Sequence, residues 1–470
     1  MTIKKITLLS ALGAAAVPAL AAEPTNIVII NLDDVGYGDF SCNGAFGYQT
    51  PNIDRLASAG MKFTHFLAAQ PISGASRAGL LTGCYPNRIG FSGAPGPNSS
   101  FGIHPDEMTL GELVKQKGYA TAIFGKWHLG DTHRFLPLQN GFDEYYGLPY
   151  SNDMWPYHPQ IKFPDLPTID GNEVVGYNTD QTCLTTDYTE RAVNFIRKNK
   201  KRPFLLYLAH SMPHVPLAVS DKFKGKSEQG LYGDVMMEID WSVGEIVNTL
   251  RKLNLEKNTL VILTSDNGPW INYGNHAGST GGLREAKATT FDGGNRIPCI
   301  MYWKGHIEPS SVCNKLASNI DIFPTVAELT GAPLPDRKID GVSLVTLIEG
   351  KEDAEPRGSF VYYYNRNDLE AVTDGRFKLI FPHRHETYEP YLPGNDGKPG
   401  VRRSTELKEC LLFDLRRDQG ERYNVISQYP EERAKLEAIA EEMRKDLGDN
   451  LRKMEGLNRR SAGKRADYVK

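Results

Sequence analysis

Cysteine is scarce. The chain has 470 residues and six cysteines (Cys42, Cys84, Cys183, Cys299, Cys313 and Cys410), with no C-x-x-C pair. That argues against a zinc or iron–sulfur site and implies no disulfide framework, although Cys299 and Cys313 could pair. Long apolar runs are scarcer still. The one present, Ile6 to Leu20, follows Lys4 and Lys5, is interrupted by Pro18 and leads into Ala19-Leu20-Ala21. A positive start, a short apolar stretch and a small-x-small cleavage site read as a secretory signal over residues 1–22, not as a membrane span. The expectation is an exported, periplasmic or secreted bacterial protein. Net charge is also slight, formally −3. Bulk electrostatics therefore point to neither nucleic acid nor an anionic membrane, and any anion must be held by a local cluster. No internal repeat or low-complexity segment is visible.

What is present is ordinary globular composition, 40% hydrophobic and 24% charged, with ample length for a large core. Continuous β-branched or aliphatic runs at Asn26–Asn31, Tyr119–Phe124, Phe204–Leu208, Thr259–Thr264 and Ile300–Trp303 predict strands buried on both faces. Helices are predicted from Thr50 to Gly60, from Glu107 to Lys117, and over Asp187–Lys198, Leu231–Leu253 and Asp321–Leu329, with a short strand at Phe63–Phe66. The alternation predicts an α/β domain over residues 23–350, with a mixed, mostly parallel sheet flanked by helices. From 351 to 470 the short runs Phe360–Tyr364, Leu369–Thr373, Phe377–Phe381 and Leu411–Asp414 predict a small antiparallel sheet. A charged helix from Glu431 to about Leu447 closes it, and the Lys/Arg-rich end from Arg459 is expected to fray.

Polar residues recur just after the buried runs: Asp33 and Asp34, Lys126 and His128, His214, Asp266 and Asn267. Ligands of doubly wound sheets bind beyond the carboxyl ends of the strands, so these groups are predicted to converge. Adjacent buried acids are costly unless neutralised. Asp33, Asp34, Asp266 and Asn267 supply hard oxygen ligands, which suit Ca²⁺, Mg²⁺ less well, and not Zn²⁺. Ser73-Gly-Ala-Ser-Arg77-Ala-Gly-Leu-Leu-Thr-Gly83 places two hydroxyls and an Arg at a helix start, where free N–H groups and the helix dipole favour an anion. A simple Ser N-cap on a surface helix is the plainer alternative.

The Ser73–Gly83 stretch resembles the signature of the type I sulfatases, in which Cys or Ser precedes x-Pro/Ala-x-x-Arg and Leu-Leu-Thr-Gly. Asn31-Leu-Asp-Asp34, Gly125-Lys-Trp-His-Leu-Gly130, Asp266-Asn-Gly268, Lys287 and Gly293-Gly-Asn-Arg-Ile-Pro298 extend the likeness in order and spacing. Gly147–Asp153, His214-Val-Pro216 and Leu412–Glu421 are most similar to the branch holding arylsulfatase A and N-acetylgalactosamine-6-sulfatase. Ala75, Asp292 and Asn295 depart from the commonest residues (Pro, Glu and Val).

The resemblance implies an alkaline-phosphatase-like fold and hydrolysis of carbohydrate sulfate esters, on sulfated galactose or N-acetylgalactosamine units. It implies that Ser73 becomes formylglycine (3-oxoalanine), in the manner of the Ser-type members matured anaerobically by a radical enzyme. Asp33, Asp34, Asp266, Asn267 and modified Ser73 would bind Ca²⁺, and Arg77 and Lys126 would stabilise the nucleophile. His128 would take a proton, Lys287 and Ser151 would hold sulfate, and His214 with Lys287 would protonate the leaving oxygen. Asn152, Asp153, Trp155, His133, His276, Arg384 and His385 are candidate sugar contacts. The rival readings are a phosphatase or phosphodiesterase using unmodified Ser73, and an exported glycan-binding protein without catalysis.

Overall fold

The structure, a computed structural model, describes residues 24–351 and 353–469; the expected signal segment lies outside them. Among these residues no helix is long and apolar enough to cross a membrane, and the six cysteines are free thiols.

The centre is a ten-stranded sheet built from β1 (Asn26–Leu32), β2 (Met61–Phe63), β3 (Ala120–Gly125), β4 (Glu144–Gly147), β5 (Pro167–Asp170), β6 (Glu173–Tyr177), β7 (Phe204–Ala209), β8 (Thr259–Ser265), β9 (Cys299–Tyr302) and β10 (Ser311–Cys313). Their spatial order is β10-β2-β9-β8-β1-β7-β3-β4-β5-β6. The block β8-β1-β7-β3-β4 is parallel, while β9 runs antiparallel to β8, and β5 to β4. Side chains alternate across a strand, so Ile27 and Ile29 enter one core while Val28, Ile30 and Leu32 enter the other. Each such burial is worth roughly 1.5–3 kcal/mol, which is why these runs carry almost no polar residue.

Helices cover both faces. α1 (Pro51–Ala59), α4 (Leu184–Asn199) and α5 (Leu231–Lys252) pack on the Val28 side, and α2 (Ser73–Thr82), α3 (Leu110–Lys115) and α6 (Ile322–Thr330) on the Ile27 side. The remaining chain forms a four-stranded antiparallel sheet, β11 (Phe360–Tyr364), β12 (Asp368–Thr373), β13 (Phe377–Ile380) and β14 (Leu411–Asp414). α7 (Pro430–Leu447) lays Leu436, Ala440 and Leu447 on it. The expected architecture is the observed one.

Three local expectations change. The helix expected over residues 107–117 begins only at Leu110, because Thr109 caps it and Glu112 returns the bond to the Thr109 N–H. The expected strand Phe63–Phe66 is two: β2 ends at Phe63, and Phe66–Leu67 pairs separately with Ala317–Ser318. The segment from Arg459, as far as residue 469, is tied down rather than frayed. Gly463–Lys464 pairs antiparallel with Phe101–Gly102, the Arg460 guanidinium reaches Glu107 at 2.7 and 2.8 Å, and Arg465 reaches Asp131 at 3.1 Å. Phe101, Gly102, Glu107 and Asp131 lie more than 300 residues earlier, beyond the reach of local patterning.

Candidate active site

Strand register assembles the site. Leu32 lies opposite Ser265, Asn31 opposite Ala209, and Gly125 also opposite Ala209. The residues that follow, Asp33, Asp266 and Lys126, therefore leave the sheet side by side. Backbone bonds extend the pairing past the strand ends, Asp266 N to Leu32 O at 3.0 Å and Lys126 N to Ala209 O at 2.8 Å. At Gly125 a Cβ would sit 1.8 Å from the Ala209 carbonyl, with φ at +120°, so only glycine admits this close turn. His128 takes φ +65° in the same turn, a conformation that non-glycine residues hold at a cost and that recurs at functional sites.

Ser73 is the first helical residue of α2, and Ile72 before it is the extended cap residue. Its hydroxyl is therefore not spent on capping its own helix. Oγ lies 3.2 Å from Asp33 Oδ1 and 3.3 Å from Asn267 Oδ1. All ten residues of α2 are buried, which removes the surface-helix alternative. Gly74 admits the covering chain: a Cβ there would meet the Gly93 carbonyl at 2.7 Å.

Three carboxylates meet three cations in this space. Lys126 Nζ lies 2.5 Å from Asp33 Oδ2, Arg77 Nε 2.9 Å from Asp266 Oδ2, and Lys287 Nζ 2.8 Å from Asp34 Oδ2. Burial alone would raise the Asp33 carboxyl, but Lys126 and Arg77 outweigh it and hold Asp33 below its ordinary range. Asp34 and Asp33 likewise outweigh burial at Lys287, which stays charged more firmly than a free lysine. The Asn267 amide donates to Asp34 Oδ1 and the Gly268 carbonyl, at 2.7 and 2.8 Å, which turns its oxygen toward Ser73.

The histidines differ. Both ring nitrogens of His128 are buried without a partner. Burial, then the charges of Lys126 and Arg77, push its pKa well below the ordinary value and disfavour the charged ring. His214 has Nδ1 2.6 Å from the Val215 carbonyl. A carbonyl only accepts, so Nδ1 carries the hydrogen and Nε2 faces the site, 3.5 Å from Asp34 Oδ2. Asp33, Asp34 and His214 form the one group of three or more potential His, Cys or acidic metal ligands among the described residues. The full donor set of Asp33, Asp34, Asp266, Asn267 and Ser73 consists of buried oxygens and suits a hard divalent cation.

The candidate sugar contacts are spread more widely. Ser151 accepts from Lys126 Nζ at 3.2 Å, within the core of the site. Asp153 is beside His158, at 3.8 Å, and its Oδ1 is buried and unpartnered. Asn152 is fully buried, with its amide on Gln181 at 3.0 Å and the His214 carbonyl at 3.3 Å, so it braces the His214 turn. His276 lines a crevice with Asp34, Val215 and Trp270. His133 is exposed in a 3-10 turn, Arg384 is exposed and bonded to Ser404, and His385 packs on Phe291.

Sequence reasoning missed two neighbours. Trp270 stands between His214 and Lys287, its ring 4.7 Å from Lys287 Nζ and 5.8 Å from the His214 ring. Its place just after Asp266-Asn-Gly268 at a strand end was the available signal. Tyr388, from the last third of the chain, donates to the Lys287 carbonyl at 2.6 Å; nothing local announces that contact.

Comparison with known proteins agrees with this geometry. Residues 25–332 match the family described as sulfatase, residues 355–463 the C-terminal region of aryl-sulfatase, and residues 286–398 the N-sulphoglucosamine sulphohydrolase C-terminal region. The chain is 39% identical to N-acetylgalactosamine-6-sulfatase of Mus musculus, over 94% of this chain and 90% of that one. It is 36% identical to human arylsulfatase A over 89% and 86%. The crystal structure of the PsFucS1 sulfatase from Pseudoalteromonas sp. superposes with a TM-score of 0.80, 26% identity and 90% of each chain covered. With the matched family spanning the large sheet and the whole strand-end cluster, the chain belongs to the sulfatase family and is a sulfuric ester hydrolase.

Proposed function

We propose that this enzyme removes sulfate from galactose or N-acetylgalactosamine units at the ends of sulfated glycans, using a formylglycine made from Ser73. The observation that carries the reading is the Ser73 hydroxyl, set among three buried carboxylates and three buried cations. The name of the mouse relative, N-acetylgalactosamine-6-sulfatase, supports the sugar.

Asp33, Asp34, Asp266, Asn267 and residue 73 would hold Ca²⁺. When bound, Ca²⁺ supplies positive charge to an oxygen of the nucleophile and of the sulfate. As they stand, Arg77, Lys126 and Lys287 are each engaged by a carboxylate. With a divalent cation held by those carboxylates, Arg77, Lys126 and Lys287 would face an anionic substrate in a water-poor pocket, where such charges act most strongly. The matured residue 73 supplies a second hydroxyl on the nucleophilic carbon, which permits turnover where plain serine would be left esterified.

Arg77 and Lys126 orient that carbon, Lys287 and Ser151 hold sulfate oxygens, and neutral His128 takes the proton when sulfate departs. His214, once Nε2 beside Asp34 also carries a proton, would hand that proton to the sugar oxygen and return to the neutral ring, a contribution of about 10²–10⁴ in rate. The serine at position 73 supports maturation by an anaerobic radical enzyme, and the N-terminal segment supports export from a bacterium. Mass spectrometry of the tryptic peptide ending at Arg77, from protein matured in an anaerobic host, should show the loss of two hydrogens. Activity should appear on galactosides sulfated at one ring position. Full activity with residue 73 entirely serine, or activity confined to glucosamine sulfates, would overturn the reading.

A further inference from the structure

A cavity of about 280 Å³ abuts the start of α2 and is not used by the chemistry above. Gln70, Ile72 and Ser92 line one side, and Tyr364, Asn365 and Arg366 of the antiparallel sheet line the other. Ile72 directly precedes Ser73, and the 92–95 loop lies over the helix start, the Gly93 carbonyl accepting from Ala75 N at 2.9 Å. The cavity is therefore a neighbour of the nucleophile, built where the two parts of the chain meet.

Its polar groups have unused donors. Gln70 is 1% exposed, and its side-chain nitrogen is buried without a partner. Buried amides nearly always find one. Arg366 is exposed and, among the described residues, makes neither an ion pair nor a hydrogen bond. Arg384 and Arg422, which are exposed too, are engaged, with Ser404 and Glu389.

Arg366 is also held in place. Asn365, Arg366 and Asn367 form the three-residue turn between β11 and β12, with φ +43° and +76° at the first two. A positive φ costs a non-glycine residue backbone energy, so an arginine is a disfavoured choice at this position. The next residue, Asn367, is buried and pinned by Asn87 at 2.7 Å and by the Leu447 carbonyl at 2.9 Å. The Arg366 backbone is thus fixed at the edge of a cavity close to small-molecule size, about 300 Å³, with its exposed side chain within reach of it.

The geometry points to a second anion subsite: Arg366, with the Gln70 amide, binds a carboxylate or sulfate on the sugar that adjoins the one being desulfated. This deepens the proposed function and rests on the reading of Ser73 as the nucleophile of a glycan sulfatase. A guanidinium, an amide N–H₂ and a hydroxyl offer a donor set suited to an anionic oxygen group. The preferred substrate is then a glycan with acidic groups on successive sugars, not a chain with isolated sulfates.

The test uses matured enzyme and four substrates that share one cleavable sulfated galactosamine: the monosaccharide, and disaccharides in which it is joined to a neutral galactose, a hexuronate or a sulfated galactose. Wild-type enzyme should show a KM about tenfold lower on at least one acidic disaccharide than on the neutral one. Comparison of the hexuronate and sulfate arms identifies which anion is read. Arg366→Gln and Gln70→Leu should erase that preference and leave kcat/KM on the monosaccharide within about twofold, while Arg366→Lys should retain part of it. Equal losses on all four substrates, or no loss on any, would reject the subsite and leave the Ser73 reading intact. Inactivity of the matured wild-type enzyme on every sulfated sugar would remove both.

Discussion

Lys126 Nζ lies 2.5 Å from Asp33 Oδ2, and neither side chain is exposed. A buried pair of this kind contributes little net stability, but loss of one partner leaves an uncompensated charge. Lys126→Met should lower unfolding free energy, measured by urea denaturation, by less than the roughly 3–5 kcal/mol of a fully orphaned buried charge, because Arg77 still faces Asp33 at 3.4 Å. Adding Asp33→Asn should recover part of that loss. A double variant whose cost equals the sum of the two singles would show that the charges are not coupled.

Calcium should stabilise the fold as well as support activity. At a concentration of 100 Kd, a ligand that binds only the native state adds about 2.7 kcal/mol. Chelation should therefore lower the melting temperature, Ca²⁺ should restore it, and Asp266→Asn should abolish the response. Superimposable melting curves with and without Ca²⁺ would dismiss the metal site.

His128 separates catalysis from stability. Its ring nitrogens have no hydrogen-bond partner to lose. His128→Gln should cost about 10²–10⁴ in kcat and about 1 kcal/mol or less in stability. A much larger destabilisation would reveal a packing role.

His210 predicts an acid-sensitive fold. Its Nε2 bonds Ser242 at 3.1 Å, and burial lowers its pKa from 6.5 to about 3. Below pH 6.5 the unfolded chain binds a proton that the folded chain refuses until about pH 3. Stability from this group is therefore present above pH 6.5 and is lost as pH falls through that window. Between pH 7.5 and 5.0 the loss is about 2 kcal/mol. The stability difference between wild type and His210→Gln should shrink by that amount on acidification. A pH-independent difference would mean that His210 has the same pKa in the folded and the unfolded chain.

Much of the site could be read in the chain because its carriers are local. A both-faces-buried strand such as Asn26–Leu32 must be a run of apolar residues, so Asp33 and Asp34 mark its end. The same holds for Asp266 after Thr259–Ser265, and for Lys126 after Ala120–Gly125. The helix at Ser73 was legible from small residues followed by Leu80, Leu81 and Gly83, and Gly83 does take the left-handed C-cap. The hairpin Pro167–Tyr177 was not legible, because most of Glu173–Tyr177 is exposed and its apolar residues follow no inward alternation.

By itself the sequence determined which residue types stand at the strand ends and at the helix start, because hydrophobic burial and backbone sterics act over a few neighbours. Tertiary structure alone decided the rest. It put Tyr388 on the Lys287 carbonyl, Gly463–Lys464 on Phe101–Gly102, Asn152 behind His214, and Arg366 beside the nucleophile helix. Those contacts join residues tens to hundreds of positions apart, and they are set by how packed layers meet, which no local pattern encodes.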